Sequence, residues 1–396
     1  MRKVPKLRFK EFSDEWKEKK LGEINDNNIK WSFTGGPFGS DLKSEDYTLE
    51  GIRIIQLQNI GDGKFIDESK IYTSLEKANE LLSCNIFPHE ILISKMGNPV
   101  ARALIVPSIE KRYLMCSDGI RLVANQEKYN SKFIMETINN NDFRTKAENI
   151  STGSTRKRIG LSELKKLSLN IPSLKEQEKI ANFLSSIDKK ISLTEEKLEL
   201  FREYKKGVMQ KIFSQELRFK DSNGNDYPEW EEKRLGEILT SKSSAISQNT
   251  LKNNEGIYSV YGAIGKIKNI NFYENENEYI GIVKDGAGVG RTFLCEKKSS
   301  VLGTLNYLEL KTKSIYLKFA YYILKQIDFS KYIVGSSIPH IYFKDYKNEK
   351  IQLPILEEQQ KIADFLSSID SKIESIEKEL EGLREFKRGL LQQMFV

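Results

Sequence analysis

Two long stretches of the chain share one pattern of apolar positions. In residues 171–213, placing heptad position a at Ile180, Ile187, Thr194, Phe201 and Val208 puts Leu184, Ile191, Leu198, Lys205 and Ile212 at d. In residues 353–395 the a positions are Ile362, Ile369, Ile376, Leu383 and Leu390, and the d positions Leu366, Ile373, Leu380, Lys387 and Met394. Apolar residues at this period predict two long helices with a coiled-coil seam. The seam is assigned to Ile180, Leu184, Ile187, Ile191, Leu198 and Phe201 on the first helix, and to Ile362, Leu366, Ile369, Ile373, Ile376, Leu380 and Leu383 on the second. Pro172 and Pro354 stand just ahead of the helices, and Ser173 to Glu176 has capping-box spacing. Gly207 and Gly389 occupy matching interior positions, where glycine costs about 1 kcal/mol relative to alanine. Close helix crossing or a docking point for a partner would explain them.

The two stretches are copies of each other. They align at a constant offset of 182 without a gap, with 24 identities in 43 positions. A weaker match opens each half: Leu7-Arg8-Phe9-Lys10, Trp16 and Leu21-Gly22-Glu23-Ile24 recur as Leu217-Arg218-Phe219-Lys220, Trp230 and Leu235-Gly236-Glu237-Ile238. Between these markers the halves differ, except that Lys95, Gly97, Val100 and Arg102 recur as Lys284, Gly286, Val289 and Arg291, and Gly153-Ser154 as Gly335-Ser336. An internal repeat of this kind implies one architectural unit used twice. The expected fold is α+β: a mixed α/β domain over 1–170, a helix over 171–213, a second domain over 214–352 and a second helix over 353–396.

Helix length constrains how these parts join. A helix of about 37 residues is ~55 Å long, whereas a compact domain the size of 214–352 is under ~40 Å across. Parallel helices would force that domain to bridge the full helix length. Antiparallel packing is therefore expected, with a domain at each end, the chain termini together and a pseudo-twofold relation between the halves.

Composition narrows the function classes. The 396 residues carry 63 Lys+Arg against 56 Asp+Glu, a formal charge of +7. The helical segments 176–213 and 358–395 carry +1 and −2, leaving +8 on the rest of the chain. Charge in that place suits phosphate neutralisation by the outer domains. Cys84, Cys116 and Cys295 are widely spaced and odd in number, and His89 and His340 are the only histidines, so neither a disulfide framework nor a multi-histidine metal site is expected. The most apolar run, Ile315 to Ile327, contains Lys318 and Lys325 and is too short to span a bilayer. The segment from Met1 to Arg8 has no apolar run behind its charges and does not read as a signal peptide. A cytoplasmic location and no membrane partner are expected.

Catalytic motifs are missing from the sequence. Asp285-Gly286-Ala287-Gly288-Val289-Gly290-Arg291-Thr292 resembles a phosphate loop, but Asp285 replaces its first Gly and Arg291 its Lys. Phe293-Leu294-Cys295 then reads as strand, so a turn between strands is the simpler reading. The chain has neither the N/D-P-P-Y/F motif of base methyltransferases nor G-x-S-x-G. The sequence reads as that of a binding protein.

Candidate DNA contacts follow from residue chemistry. The Gly35–Lys43 loop offers backbone amides, Ser40 and Lys43; Ile55–Asn59 reads as a half-buried strand presenting Gln56 and Gln58 on one face. Ser154 with Arg156, Lys157 and Arg158 is the strongest cationic cluster, and its counterpart Ser336, Ser337 and His340 lacks that charge. Lys95, Arg102, Lys284 and Arg291, with Tyr261 and Lys266, complete the set.

Two variable domains, each opening near L-R-F…W…L-G-E-I and each followed by P-x-L-x-E-Q-x-K-I-A-x-F-L-S-S-I-D, resemble the specificity subunit of type I restriction-modification systems. The likeness covers essentially the whole chain, with Gly36-Pro37-Phe38-Gly39-Ser40 similar to a loop common in the family's first target-recognition domain. Tyr258-Ser259-Val260-Tyr261-Gly262 resembles another recurring subtype. The resemblance implies a subunit without catalysis. Its two domains would each read half of an asymmetric bipartite site in double-stranded DNA, while the helices set the spacer and dock two methyltransferase subunits. It places S-adenosylmethionine and adenine-N6 methylation in those partners, ATP and Mg in restriction subunits, and no cofactor in this chain. An interaction scaffold whose outer domains bind protein is the alternative.

Overall fold

The computed structural model describes residues 4–396. The chain forms two units: one runs to Glu195 and takes in Lys378–Val396, and the other is Glu196–Glu377. Each unit is built on the same framework. In the first, Lys17–Lys20 pairs antiparallel with Ser168–Ile171, beside a four-stranded sheet ordered Phe33–Gly35, Gly119–Leu122, Ile91–Ser94, Ala103–Ile105. In the second, Glu231–Arg234 pairs with Lys350–Leu353, beside a sheet ordered Leu239–Ser243, Leu305–Leu310, Tyr279–Val283, Thr292–Cys295. The central strands Ile91–Ser94 and Tyr279–Val283 are buried throughout, which is why they read as continuous apolar runs rather than alternating ones.

The halves diverge in what is added to this framework. The first unit carries a five-stranded sheet built from Tyr47–Thr48, Ile71–Thr73, Ile52–Ile55, Tyr113–Met115 and Asn85–Ile86. The second carries a three-stranded sheet of Gly265–Ile270, Tyr258–Gly262 and Ser300–Val301. The repeat is thus preserved in the parts that meet the helices and lost in the additions.

The long helices are Leu174–Phe213 and Leu356–Met394. Each starts with a buried Glu-Gln pair that anchors its own unit. Arg8 donates through Nε and Nη2 to both carboxylate oxygens of Glu176, each at 2.8 Å, and Trp16 Nε1 donates to the same group at 3.3 Å. Arg218 and Trp230 grip Glu358 in the same way, the indole at 3.0 Å. Gln177 accepts from the Asn130 amide at 3.0 Å and donates to the carbonyls of Lys128 and Pro172. Gln359 repeats this with the Tyr316 amide, Ser314 and Pro354. Buried polar groups carry a large penalty unless satisfied, and every one of these is paired. The Glu176 amide does lie 3.4 Å from Ser173 Oγ, but its carboxylate is committed to Arg8 and Trp16. The expected capping box is therefore only half made.

Within each unit the two helices pack antiparallel. In the first, Lys387 reaches Asp188 at 2.5 Å and Arg384 reaches Glu195 at 2.5 Å. In the second, Arg202 reaches Glu377 at 2.6 Å and Lys205 pairs with Asp370. The two seam lysines are thereby accounted for. Tyr322 adds a hydrogen bond of 2.6 Å to Asp370, and Lys132 one of 2.9 Å to Asp188. Seam residues Ile180, Leu184, Ile187, Leu198, Ile362, Leu366, Ile369, Ile376 and Leu380 are buried, while Ile191, Phe201, Ile373 and Leu383 are half-buried. Each unit's core is closed by the far end of a helix. Phe395 packs on Trp16 and Phe133, with ring centroids 6.4 and 5.3 Å apart, and Phe213 packs on Trp230 and Phe319, at 6.5 and 5.8 Å. The Leu7 amide bonds the Gln393 carbonyl at 2.9 Å, so the two ends of the described chain meet.

Close helix crossing does not explain Gly207 or Gly389. A Cβ at either position would meet nothing within 4 Å beyond the helix's own backbone.

Candidate nucleic-acid interface

In both units a buried central strand runs into a loop that is stitched to a second, glycine-containing loop. In the first, Thr152 and Arg158 exchange both backbone hydrogen bonds, at 2.9 and 2.8 Å. The Gly97 amide donates to the Lys157 carbonyl at 3.2 Å and the Ile159 amide to that of Lys95 at 2.9 Å. In the second, Val334 and His340 exchange both bonds at 2.9 and 2.8 Å, Gly286 donates to Pro339 and Ile341 to Lys284, each at 2.9 Å. The recurring glycines have a geometric cause. Gly153 and Gly335 adopt φ of +98° and +91°, and a Cβ there would come within 2.7 Å of the Arg156 carbonyl oxygen or 2.4 Å of that of Ile338. The Asp285–Thr292 segment connects the paired strands Tyr279–Val283 and Thr292–Cys295, which agrees with a turn rather than a phosphate loop.

The stitching gathers charge. In the first unit Lys95, Arg158, Gly36 and Phe38 line one cleft of about 600 Å³. Lys95 Nζ donates to the Ser117 carbonyl at 3.3 Å. Burial, and next the charge of Arg158, draws its ammonium below the usual lysine range. Arg158 pairs with Asp118 at 2.8 Å and Lys157 with Glu148 at 3.6 Å. Arg156 and Ser154 are exposed, and Arg156 has no carboxylate partner among the described residues. Ser40 and Lys43 are exposed on the Gly35–Lys43 loop, Ser40 donating to Asp41 at 3.2 Å.

In the second unit His340 Nδ1 lies 2.8 Å from Asp285 Oδ1, and Lys284 is half-buried beside it in sequence. Arg291 Nη1 donates to the Ala263 carbonyl at 2.8 Å, Lys266 lies 3.7 Å from Glu296, and Tyr261 accepts from the Glu296 amide at 3.4 Å. Ser336 and Ser337 are exposed.

One expectation needs correction. Ile55–Asn59 is not a strand: the strand ends at Ile55 and Leu57–Asn59 forms a 3-10 turn. Asn59 Oδ1 accepts from the Gln56 amide, and Gln58 donates to Gln56 at 3.1 Å, so these glutamines do not share the face of a strand. The run alternates like a strand, but Asn59 turns inward and closes the backbone locally. Arg102 is half-buried, reaches the Leu57 carbonyl at 3.5 Å and has its Nε buried.

The sequence reading also missed residues. Asp118 faces Arg158 and Asp285 faces His340, and Phe38 stands 79% exposed at the cleft. The recurrence of Lys95 and Gly97 as Lys284 and Gly286, the Gly35–Lys43 loop and the Arg156–Arg158 cluster pointed to this region, but not to these side chains. Among the described residues no cluster of His, Cys, Asp and Glu could hold a metal ion, and no helix is long and apolar enough to cross a membrane. Burial pushes the Cys116 thiol up to about 11 and the Cys295 thiol up to about 12, so neither is a ready nucleophile.

The chain is similar in sequence and in fold to known proteins. The chain is 32% identical over 205 residues to the type I restriction enzyme MjaVIII specificity subunit of Methanocaldococcus jannaschii, a match spanning 48% of this chain and about half, 47%, of that subunit. It is 23% identical to the MjaIX specificity subunit of the same organism, over 96% of this chain and 92% of that one. The fold matches the crystal structure of a type I restriction-modification S subunit from M. genitalium, with a TM-score of 0.66 at 21% identity over 99% of both chains. It also matches a structure from work on complex assembly and conformational transition of the type I R-M system, with a TM-score of 0.56 at 15% identity over 96% and 97% of the two chains. Residues 13–200 and 227–385 match the type I restriction modification DNA specificity domain, and the chain therefore belongs to the family of type I restriction-modification specificity subunits.

Proposed function

We propose that this chain is the DNA-reading, non-catalytic subunit of a type I restriction-modification complex. Each variable domain binds one part of an asymmetric bipartite site in double-stranded DNA. Lys95, Ser154, Arg156, Lys157 and Arg158 serve the first half, and Lys284, Ser336, Ser337 and His340 the second, with Ser40, Lys43, Lys266 and Arg291 flanking them. The helix pair sets the spacer and docks two adenine-N6 methyltransferase subunits. S-adenosylmethionine belongs to those partners, and ATP and Mg to restriction subunits. No catalytic residue is assigned to this chain.

One observation carries this reading. The same stitched loop pair is built in both units: in the first it brings Lys95 and Arg158 into one cleft, and in the second it sets His340 against Asp285, next to Lys284 in the chain. An ammonium partly stripped of water, as Lys95 is, gains by taking up an anion, and phosphate contacts orient a protein on duplex DNA. The test is a map of methyladenine in DNA from cells expressing the chain with a methyltransferase subunit. A bipartite, non-palindromic motif is expected, and methylation without one would refute the assignment.

A further inference from the structure

Phosphate contacts position a protein on DNA but carry no sequence information, so the cleft of the first unit needs a group that touches bases. Phe38 has the right placement. Its ring is 79% exposed yet stands on a fixed support. At the root of its loop the Gly36 amide donates to the Gly119 carbonyl at 2.8 Å, and Gly36 lies so close to Cys116 that a Cβ would come within 1.9 Å of its carbonyl oxygen. At the tip, the Asp41 amide bonds the Phe38 carbonyl at 2.9 Å, and the Phe38 amide bonds Asp41 Oδ2 at 3.2 Å. A large apolar ring is therefore held out into water by a shaped turn. It lines the same cleft as Lys95 and Arg158.

We propose that Phe38 is a specificity-determining residue, making the apolar contact with a base-pair edge for which the thymine C5-methyl is the complementary surface. The inference rests on the DNA-binding reading above. Arg158 is held by Asp118, but Lys95 forms no ion pair among the described residues, and its attraction for a flanking phosphate chooses DNA over an apolar protein surface as the occupant. Leu49 makes the contrast. It is 99% exposed, but it lies on the turn before Ile52–Ile55 and is not part of the cleft.

The test is selection of a random duplex library by the full chain co-expressed with a methyltransferase subunit. The library is made once with thymidine and once with deoxyuridine, which lacks the C5-methyl. Wild type should enrich a bipartite motif. Phe38→Ala should keep the spacing and one half intact, and weaken the preference for a T·A pair in the other half about fourfold, the value of one methyl withdrawn from water. Wild type on the deoxyuridine library should lose the same preference, and Leu49→Ala should leave the motif unchanged. An unaltered Phe38→Ala motif, a relaxed position indifferent to the missing methyl, or the same relaxation in Leu49→Ala overturns this inference and leaves the proposed function standing. If wild type enriches no bipartite motif, the proposed function itself fails.

Discussion

Lys387 Nζ lies 2.5 Å from Asp188 Oδ1, joining the end of one helix to the early turns of the other across a mostly apolar seam. Burial alone would raise the Asp188 carboxyl, but Lys387 and Lys132 outweigh it and hold the group below the ordinary aspartate range. A depressed carboxylate stabilises the fold above its unfolded value, about 3.9, and that stabilisation is lost as pH falls through the lower folded value. Thermal unfolding followed by circular dichroism should show Tm falling below about pH 4. Asp188→Asn should lower Tm at neutral pH and flatten that acid limb; an unchanged limb would assign it to other carboxylates.

Glu358 is fully buried between Arg218 and Trp230. Glu358→Gln leaves Arg218 with only the exposed Glu229 as counter-charge, and we expect a loss of about 1.5–3 kcal/mol, the range for hydrogen bonds to charged groups. Chemical denaturation measures it. Glu358→Asp, which keeps the charge but shortens the reach, should recover part of the loss.

Arg156 should matter more than its neighbours for non-specific DNA binding, because Lys157 and Arg158 already face Glu148 and Asp118. Arg156→Ala is expected to reduce the slope of log K against log salt by about one, a full phosphate contact. Lys157→Ala should reduce it less. Fluorescence anisotropy across a salt series decides between them, and equal slopes for both variants would remove the distinction.

The register of the helix pair alters how a spacer change must be made. One heptad inserted in the first helix alone would displace Asp188 from Lys387 or Arg202 from Glu377, depending on where it falls. Inserted in both helices at matched heights, between Glu195 and Lys197 and between Lys378 and Glu379, it keeps the interhelical ion pairs on either side. It should lengthen the preferred DNA spacer by about three base pairs, from ~10 Å of added helix. Methyladenine mapping reads the spacing directly, and no change would remove the helices from that role.

The long helices were legible because a period sustained over some forty residues is hard to imitate. The lysines at seam positions 205 and 387 were visible only as exceptions. Their partners Asp370 and Asp188 lie on the opposite helix, and no local spacing connects them. Most strands of the outer domains have only two to six residues and give little periodic signal, so Gln56 and Gln58 were misplaced by an alternation that a 3-10 turn produced by accident. The recurrence of Gly153 as Gly335 was visible, but its cause lies in a backbone angle and a neighbouring carbonyl. Phe38 could not be ranked at all, since exposure of a phenylalanine depends on what the rest of the chain leaves uncovered.

The identical grip of Arg8 and Trp16 on Glu176, and of Arg218 and Trp230 on Glu358, has an evolutionary consequence. Each outer body hangs from its helix by the same few side chains, so its remaining surface is free to drift without endangering the attachment. A foreign body could be grafted whole if it supplied an arginine and an indole at those places and an antiparallel strand to replace Ser168–Ile171. Recombination between relatives would then pass on ready-made half-specificities as interchangeable parts, one at a time, with the other half inherited unaltered.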